Sequence, residues 1–333
     1  MARVTQKSVA QRAGVSQASV SLVLGGANAA SLPEETVARI QTAARELGYV
    51  PNRLAQALKT RRTMTIACVV PDITNPFYPH LIRGVQGVAE AHGYDVIALN
   101  TDGSPTREQH FLQWALQGRV DGVVGVFFTL RAQALQILTE NAIAVVRVEA
   151  ARKAGGAVPI DDIFIDGRAA AVAVVDYLLS RGHRRIAIIA GAGGPEQVRI
   201  DGYRAAMIAA GCDPVVVGVP KFDEAAGRIA GRRILEMQAG ITAIFAANDL
   251  LAIGIMLELR AQNLRIPDDI AVFGFDNISA APLVTPPLSS VTQFQDRMGE
   301  TAAQILLNRI DGRLEGAATV TEMPFELVLR GSA

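Results

Sequence analysis

Up to about residue 48, apolar positions recur every three or four residues: Val9, Ala10 and Ala13, then Val20, Val23 and Leu24, then Val37, Ile40, Ala44 and Leu47. Each group gives one apolar stripe at the period of an α-helix, so three short helices are predicted. Thr5 and Ser16 stand where N-caps belong and Gly14 where a tight turn belongs. Pro33, followed by Glu34 and Glu35, suits a first helical turn, and Gly48 suits a helix C-terminus. From Thr65 the texture changes to short β-branched runs separated by helix-length amphipathic segments. The runs are TIACVV (65–70), YDVIAL (94–99), GVVGVF (122–127) and AVVRVE (144–149), then RIAIIA (185–190), PVVVGV (214–219), TAIFAA (242–247) and IAVFGF (270–275). Nearly continuous apolar strands alternating with helices indicate parallel sheets covered on both faces. Eight such strands exceed one small sheet, and the break near residues 154–162 divides them into two groups. The predicted fold is an all-α helix-turn-helix headpiece plus an α/β core of two doubly wound parallel-sheet lobes.

The expected boundaries are a headpiece at 1–49, a hinge helix and linker at 50–62, and a core at 63–333. Within the core, the first lobe takes about 63–160 and 293–318, and the second about 161–290 and 319–330. The segment Leu288 to Thr292 and a helix through Ile310 cross back between them.

Composition supports a globular reading: 333 residues, half of them hydrophobic, suffice for a sizeable core in more than one unit. Net charge is zero, but residues 1–62 hold nine Lys or Arg against three Glu, a net of +6, so the rest carries −6. A small basic unit on a larger acidic body is the pattern expected when one part meets phosphates and the other does not. The N-terminus has no apolar leader core, no run approaches membrane-spanning length, and the two cysteines, Cys68 and Cys212, form no paired motif. A cytoplasmic, nucleoid-associated protein without membrane contact, metal or cofactor is expected.

VTQKSVAQRAGVSQASVSLVLGG reads as helix, tight turn at Ala13-Gly14-Val15, and a second helix opening at Ser16. That turn lays the second helix across the first and leaves its outer face free for a DNA major groove. The string VAQRAGVSQASVSLVL resembles the lactose-repressor family at nearly every position, and the likeness continues through RIQTAARELGYVPNRLAQALKT and the core. The resemblance implies that Gln17, Ala18 and Leu22 read bases: Gln17 can pair bidentately with adenine, and Ala18 or Leu22 can touch thymine methyls. Thr5, Ser16, Ser19 and Ser21 match caps and phosphate contacts. Leu22 departs from the Arg or His common there, so the preferred operator differs at that base.

Pro51 to Lys59 is too short for a stable isolated helix. By resemblance it folds against a second subunit's hinge in the DNA minor groove, with Asn52, Ala55 and Lys59 on DNA, Leu58 wedged at the central base step, and Leu54 packed on its symmetry mate. Leu54 and Leu58 share one face at i, i+4. The alternative is a linker helix docked on the core.

The core resembles periplasmic sugar-binding proteins, whose ligands sit in a cleft where strand C-termini converge. Segment by segment, the resemblance places Asn75, Phe77, Tyr78, Arg147, Glu149, Arg199, Phe222, Asn248 and Asp276 around a small-molecule effector. Carboxylates, an amide and a guanidinium take paired hydroxyls while Phe77 and Phe222 stack on an apolar sugar face, so a sugar or sugar derivative is implied. Arg147 stands in an otherwise apolar strand and needs a partner or a ligand. Glu149, two residues on and on the same face, offers an ion pair; an anionic ligand is the other reading. Asp249 either contributes to the site or orients Asn248 at a helix start.

Enzyme readings fail on their motifs. GAGGPE at 191–196 lacks the third glycine of a dinucleotide loop, and no P-loop, HExxH, GxSxG or metal-spaced histidine occurs. A free solute receptor would not need the basic headpiece. The expected partners are therefore palindromic operator DNA, the effector, and a second copy of the chain, since one recognition helix reads only a half-site. No heptad repeat follows the last strand, so no tetramerising coil is expected.

Overall fold

The computed structural model describes residues 4–25, 32–149, 151–152, 158–191 and 194–333. The chain divides into two units, Met1–Met64 and Thr65–Ala333.

In the first unit, α1 (Gln6–Ala13) begins at a capping box in which Thr5 and Ser8 satisfy each other's backbone N–H groups. It ends at Gly14, whose φ of +63° makes the abrupt turn available without steric cost. Ser16 then caps α2 (Gln17–Leu24) by accepting from Ser19 N. Helix α3 (Glu34–Leu47) ends at Gly48, also left-handed at +63°. The three helices close on Val9, Ala10, Ala13, Val20, Ile40, Ala43 and Ala44, with Val23, Leu24 and Leu47 packed at the margin. An Arg12–Glu46 ion pair at 2.6 Å ties α1 to α3. Helix α4 (Arg53–Thr60) follows where the hinge helix was expected, and Gln56 Nε2 donates to Leu24 O at 3.3 Å.

The second unit contains two parallel sheets. The first has the order β11-β5-β4-β3-β1-β2, built from β1 (Thr65–Val70), β2 (Asp95–Asn100), β3 (Gly122–Gly125), β4 (Ala144–Glu149), β5 (Ile160–Ile165) and β11 (Val320–Met323). The second has the order β7-β6-β8-β9, from β6 (Ile186–Gly191), β7 (Val215–Val219), β8 (Ala243–Ala246) and β9 (Ala271–Phe273). Alternate residues of β6 enter different cores: Ile186, Ile188 and Ala190 pack on one side, Ala187 and Ile189 on the other. A strand buried on both faces reads as an unbroken apolar run unless its charges are paired, and β6 carries no charge, which makes it legible. Helices α8 (Gly167–Ser180) and α9 (Gly194–Ala209) cover one face of this sheet, α10 (Glu224–Glu236) and α11 (Asp249–Ala261) the other.

Helices α5 (Phe77–Ala91), α6 (Pro105–Ala115), α7 (Ala132–Glu140) and α12 (Gln295–Ile310) accompany the first sheet. Helices α5 and α12 approach closely at Gly84 and Gly299: a Cβ on either would lie 2.1 Å from a backbone oxygen of the other helix. The expected crossing segment forms β10 (Ser290–Thr292), paired antiparallel with β12 (Glu326–Val328).

The lobe boundaries need correction. The sequence pattern divides the lobes at 160 and gives 319–330 to the second; β5 and β11 instead join the first sheet, with β5 between β4 and β11. The strand reads IDDIFI, and its two carboxylates interrupt the apolar run that marks the other buried strands. Both are buried and paired. Asp161 accepts from Arg309 Nε and Nη2 at 2.8 and 2.9 Å and from Thr319 N at 2.7 Å. Burial pushes its pKa upward, but these donors outweigh that and hold it below the ordinary range.

Candidate functional site

On the first unit, Val20 is fully buried, and this fixes which side of α2 faces outward. Gln17 and Ala18 are exposed, Ser19, Ser21 and Leu22 half-buried. Leu22 is not among the residues of the helical core. Ser16 Oγ lies 2.9 Å from Ser19 Oγ and 3.1 Å from Ser19 N, so its cap is made within the helix. Neither α1 nor α2 has an acidic residue in its first turn, so no carboxylate there opposes a phosphate at the positive helix end. On α4, Leu58 is 87% exposed and Ala55 is exposed, while Asn52 just ahead of the helix is half-buried. The side chains of Leu54 and Lys59 lie outside the described part of the chain.

The second unit holds a cavity of about 620 Å³ at the C-terminal ends of its parallel strands, and all nine side chains expected at an effector line it. Asn75 and Phe77 come from the entry to α5, where Asn75 Oδ1 accepts from Phe77 N at 3.0 Å. Tyr78 meets Phe77 edge to face at 5.1 Å. Burial drives its hydroxyl pKa far up, so it stays protonated. Asn248 is the N-cap of α11; its Oδ1 accepts from Leu251 N at 2.8 Å and its Nδ2 donates to Phe222 O at 3.1 Å, which seats Phe222.

Arg147 makes the ion pair with Glu149 that the sequence offers, and a shorter one with Asp162. Its Nε and Nη2 donate to Asp162 at 2.7 and 2.8 Å across the β4–β5 register, and Nη1 lies 3.4 Å from Glu149. The principal partner is thus Asp162, a residue the sequence reading had not singled out. Arg199 stacks on Phe275 at 3.7 Å, donates Nη1 to Ala247 O, and faces Asp276 through Nη2 at 3.8 Å. Asp276 accepts from Gln293 Nε2 at 2.6 Å; burial pushes its pKa to about 7 against the pull of Arg199.

Asp249 stands behind this wall, not in it. Fully buried, it accepts from Ser290 Oγ at 2.6 Å and Ile278 N at 2.8 Å, and burial raises its pKa to about 8. Two further residues escaped sequence reading. Glu196 lines the cavity from α9, in the GAGGPE stretch that fails as a cofactor loop. Glu108 on α6 gathers Phe128 N, Thr129 N and Leu130 N at 2.8 to 3.0 Å, holding in place a loop that lines the cavity. No local signal marks it, because its partners lie about twenty residues on.

Among the described residues no group of His, Cys, Asp and Glu is arranged to hold a metal ion, and no helix is long and apolar enough to cross a membrane. Neither cysteine is in a disulfide, and burial raises the Cys68 thiol to about 12.

Residues 5–52 match the model for bacterial regulatory proteins of the lacI family, and residues 175–333 match a periplasmic binding protein-like domain. The ribose operon repressor of Escherichia coli K12 is 34% identical over 316 residues, covering 92% of this chain and 93% of its own length. The HTH-type transcriptional repressor PurR of Vibrio atlanticus is 34% identical, with 98% of each chain covered. Among solved structures, a transcriptional regulator CelR in complex with cellobiose is 29% identical with a TM-score of 0.73, covering 99% of this chain and 100% of its own.

Proposed function

The chain belongs to the lacI family of bacterial regulatory proteins, and on that premise we propose that it represses transcription from a palindromic operator under control of a sugar-like effector bound in its core. It is a DNA-binding regulator and not an enzyme. The observation that carries the effector reading is the convergence, in one cavity of about 620 Å³, of nine side chains drawn from segments spread between residues 75 and 276. Aromatic faces at Phe77 and Phe222, amides at Asn75 and Asn248, and paired charges at Arg199 and Asp276 are the chemistry that takes a polyhydroxylated ring.

On the first unit, Gln17 and Ala18 present hydrogen-bonding and methyl-contacting groups from the opening turn of α2. One such helix reads a half-site, so two copies related by a two-fold axis read the palindrome. Exposed Leu58 on α4 supplies an apolar wedge for the minor groove, and Asn52, Ala55 and Lys59 are its further DNA contacts. Effector and operator binding are linked by a coupling of about 1–3 kcal/mol, which is roughly a 5- to 150-fold change in operator affinity. The protein acts in the cytoplasm, on the nucleoid.

The test is selection from a random duplex pool at stated salt, followed by a sugar screen on the enriched sequence. Enrichment of a palindrome whose affinity responds to a sugar is the expected result. Arg199→Ala then abolishes the response and leaves operator binding intact; loss of both would refute the site assignment.

A further inference from the structure

We infer that Glu108, which does not itself line the cavity, is a positioning residue for the effector: its carboxylate holds the 128–130 stretch of the cavity wall, and ligand affinity depends on it without contact. This rests on the effector reading of the cavity proposed above.

The segment 126–132 forms one stretch of wall, and all seven of its residues line the cavity. Behind it, on α6, Glu108 is fully buried. It accepts from three successive amides, Phe128 N at 2.8 Å, Thr129 N at 3.0 Å and Leu130 N at 2.9 Å, and from the Thr129 hydroxyl. Among the described residues, none of these three amides donates to a main-chain carbonyl. Consecutive N–H groups turned to one point form a concave anion site, and here the anion is the protein's own carboxylate. Phe128 and Thr129 are exposed, so burial of their side chains contributes little to holding the stretch. Hydrogen bonds to a carboxylate are among the stronger ones, and its removal leaves three donors turned toward one another.

The ends of the segment are held by other means. Phe111, three residues after Glu108 and so on the same face of α6, meets the Phe127 ring at 5.9 Å. At the far end the chain enters α7, where Ala134 N and Leu135 N donate to Arg131 O. Between these anchors the wall depends on one side chain. A ligand that meets a wall already in place is spared the entropy of ordering it, and a wall released from Glu108 imposes that cost on binding. Charge matters here as well as shape. Oε1 takes Phe128 N while Oε2 takes Thr129 N and Leu130 N. In a glutamine of the same size, the NH2 group therefore faces an amide donor whichever way it is turned.

The experiment uses the full chain and two readouts: calorimetric affinity for the tightest-binding sugar of a panel of pentoses, hexoses and disaccharides that includes D-ribose and cellobiose, and hydrogen exchange of the amides of residues 128–130. Glu108→Gln is expected to weaken sugar binding by about tenfold or more and to speed exchange at 128–130 by a similar factor, with exchange in β6 and β8 unchanged. In Glu108→Ala, added acetate should restore both readouts toward the parent, whereas acetamide, with a single acceptor oxygen, should not. Should Glu108→Gln not fold, Glu108→Asp, which keeps the charge on a shorter stem, takes its place with the same readouts. Unchanged affinity in a variant whose 128–130 amides exchange faster overturns the inference. So does weakened binding with that exchange unaltered, and so does rescue by both additives alike or by neither, which would leave Glu108 a purely structural role. Failure of the parent chain to bind any sugar of the panel overturns the effector reading of the cavity, and this inference with it.

Discussion

Arg147 and Asp162 sit directly opposite each other on neighbouring parallel strands, joined by two parallel hydrogen bonds of 2.7 and 2.8 Å in the cavity wall. Both side chains are less than a tenth exposed, so neither charge is compensated by water. Removing one partner of such a pair leaves an unpaired buried charge and costs about 3–5 kcal/mol. Asp162→Ala is therefore expected to lower the urea midpoint by that equivalent. An unchanged midpoint would mean that Glu149 alone suffices for Arg147.

Gln17 is exposed on the first turn of α2, away from the helical core. Gln17→Ala is expected to cost about 1–3 kcal/mol on operators carrying the matched base pair and far less on operators altered there. Anisotropy titrations at fixed salt against single-base variants read this out. A uniform loss on every sequence would make Gln17 a backbone contact.

Leu58, at 87% exposed, contributes almost nothing to the fold of the isolated chain. Leu58→Ala should leave thermal stability within about 0.5 kcal/mol of the parent. On the operator it should both weaken binding and reduce the bend seen by gel mobility of circularly permuted fragments, because an apolar wedge unstacks the central step. Stability loss without a change in bending would favour the docked-linker reading.

Asp249 is raised by burial to about 8 from an ordinary value near 3.8. A carboxyl raised on folding holds its proton in the folded chain where the unfolded chain has lost it. Its contribution to stability is thus full below the ordinary carboxylate range and declines as pH rises to about 8. Asp276 and Glu196 act in the same direction; Asp161, lowered on folding, acts oppositely. Urea unfolding of the parent between pH 5 and 8 should show this decline, and Asp249→Asn should flatten it even if the variant is less stable overall. An unaltered slope would show that Asp249 is ionised throughout.

The caps at Thr5 and Ser16, the left-handed turn at Gly14 and the doubly buried β6 depend on residues within a few positions of one another, and the sequence by itself determined them. Family likeness carried the nine cavity residues, because each sits in a segment with its own motif. Only the tertiary structure decided that β5 and β11 complete the first sheet, that Asp162 rather than Glu149 is the main partner of Arg147, and that Glu108 holds the loop at 128–130. The physical reason is register. Asp162 lies fifteen residues from Arg147 along the chain and opposite it only once β4 and β5 pair. Its charge, read locally, argues against a buried strand, whereas its partner makes that burial affordable.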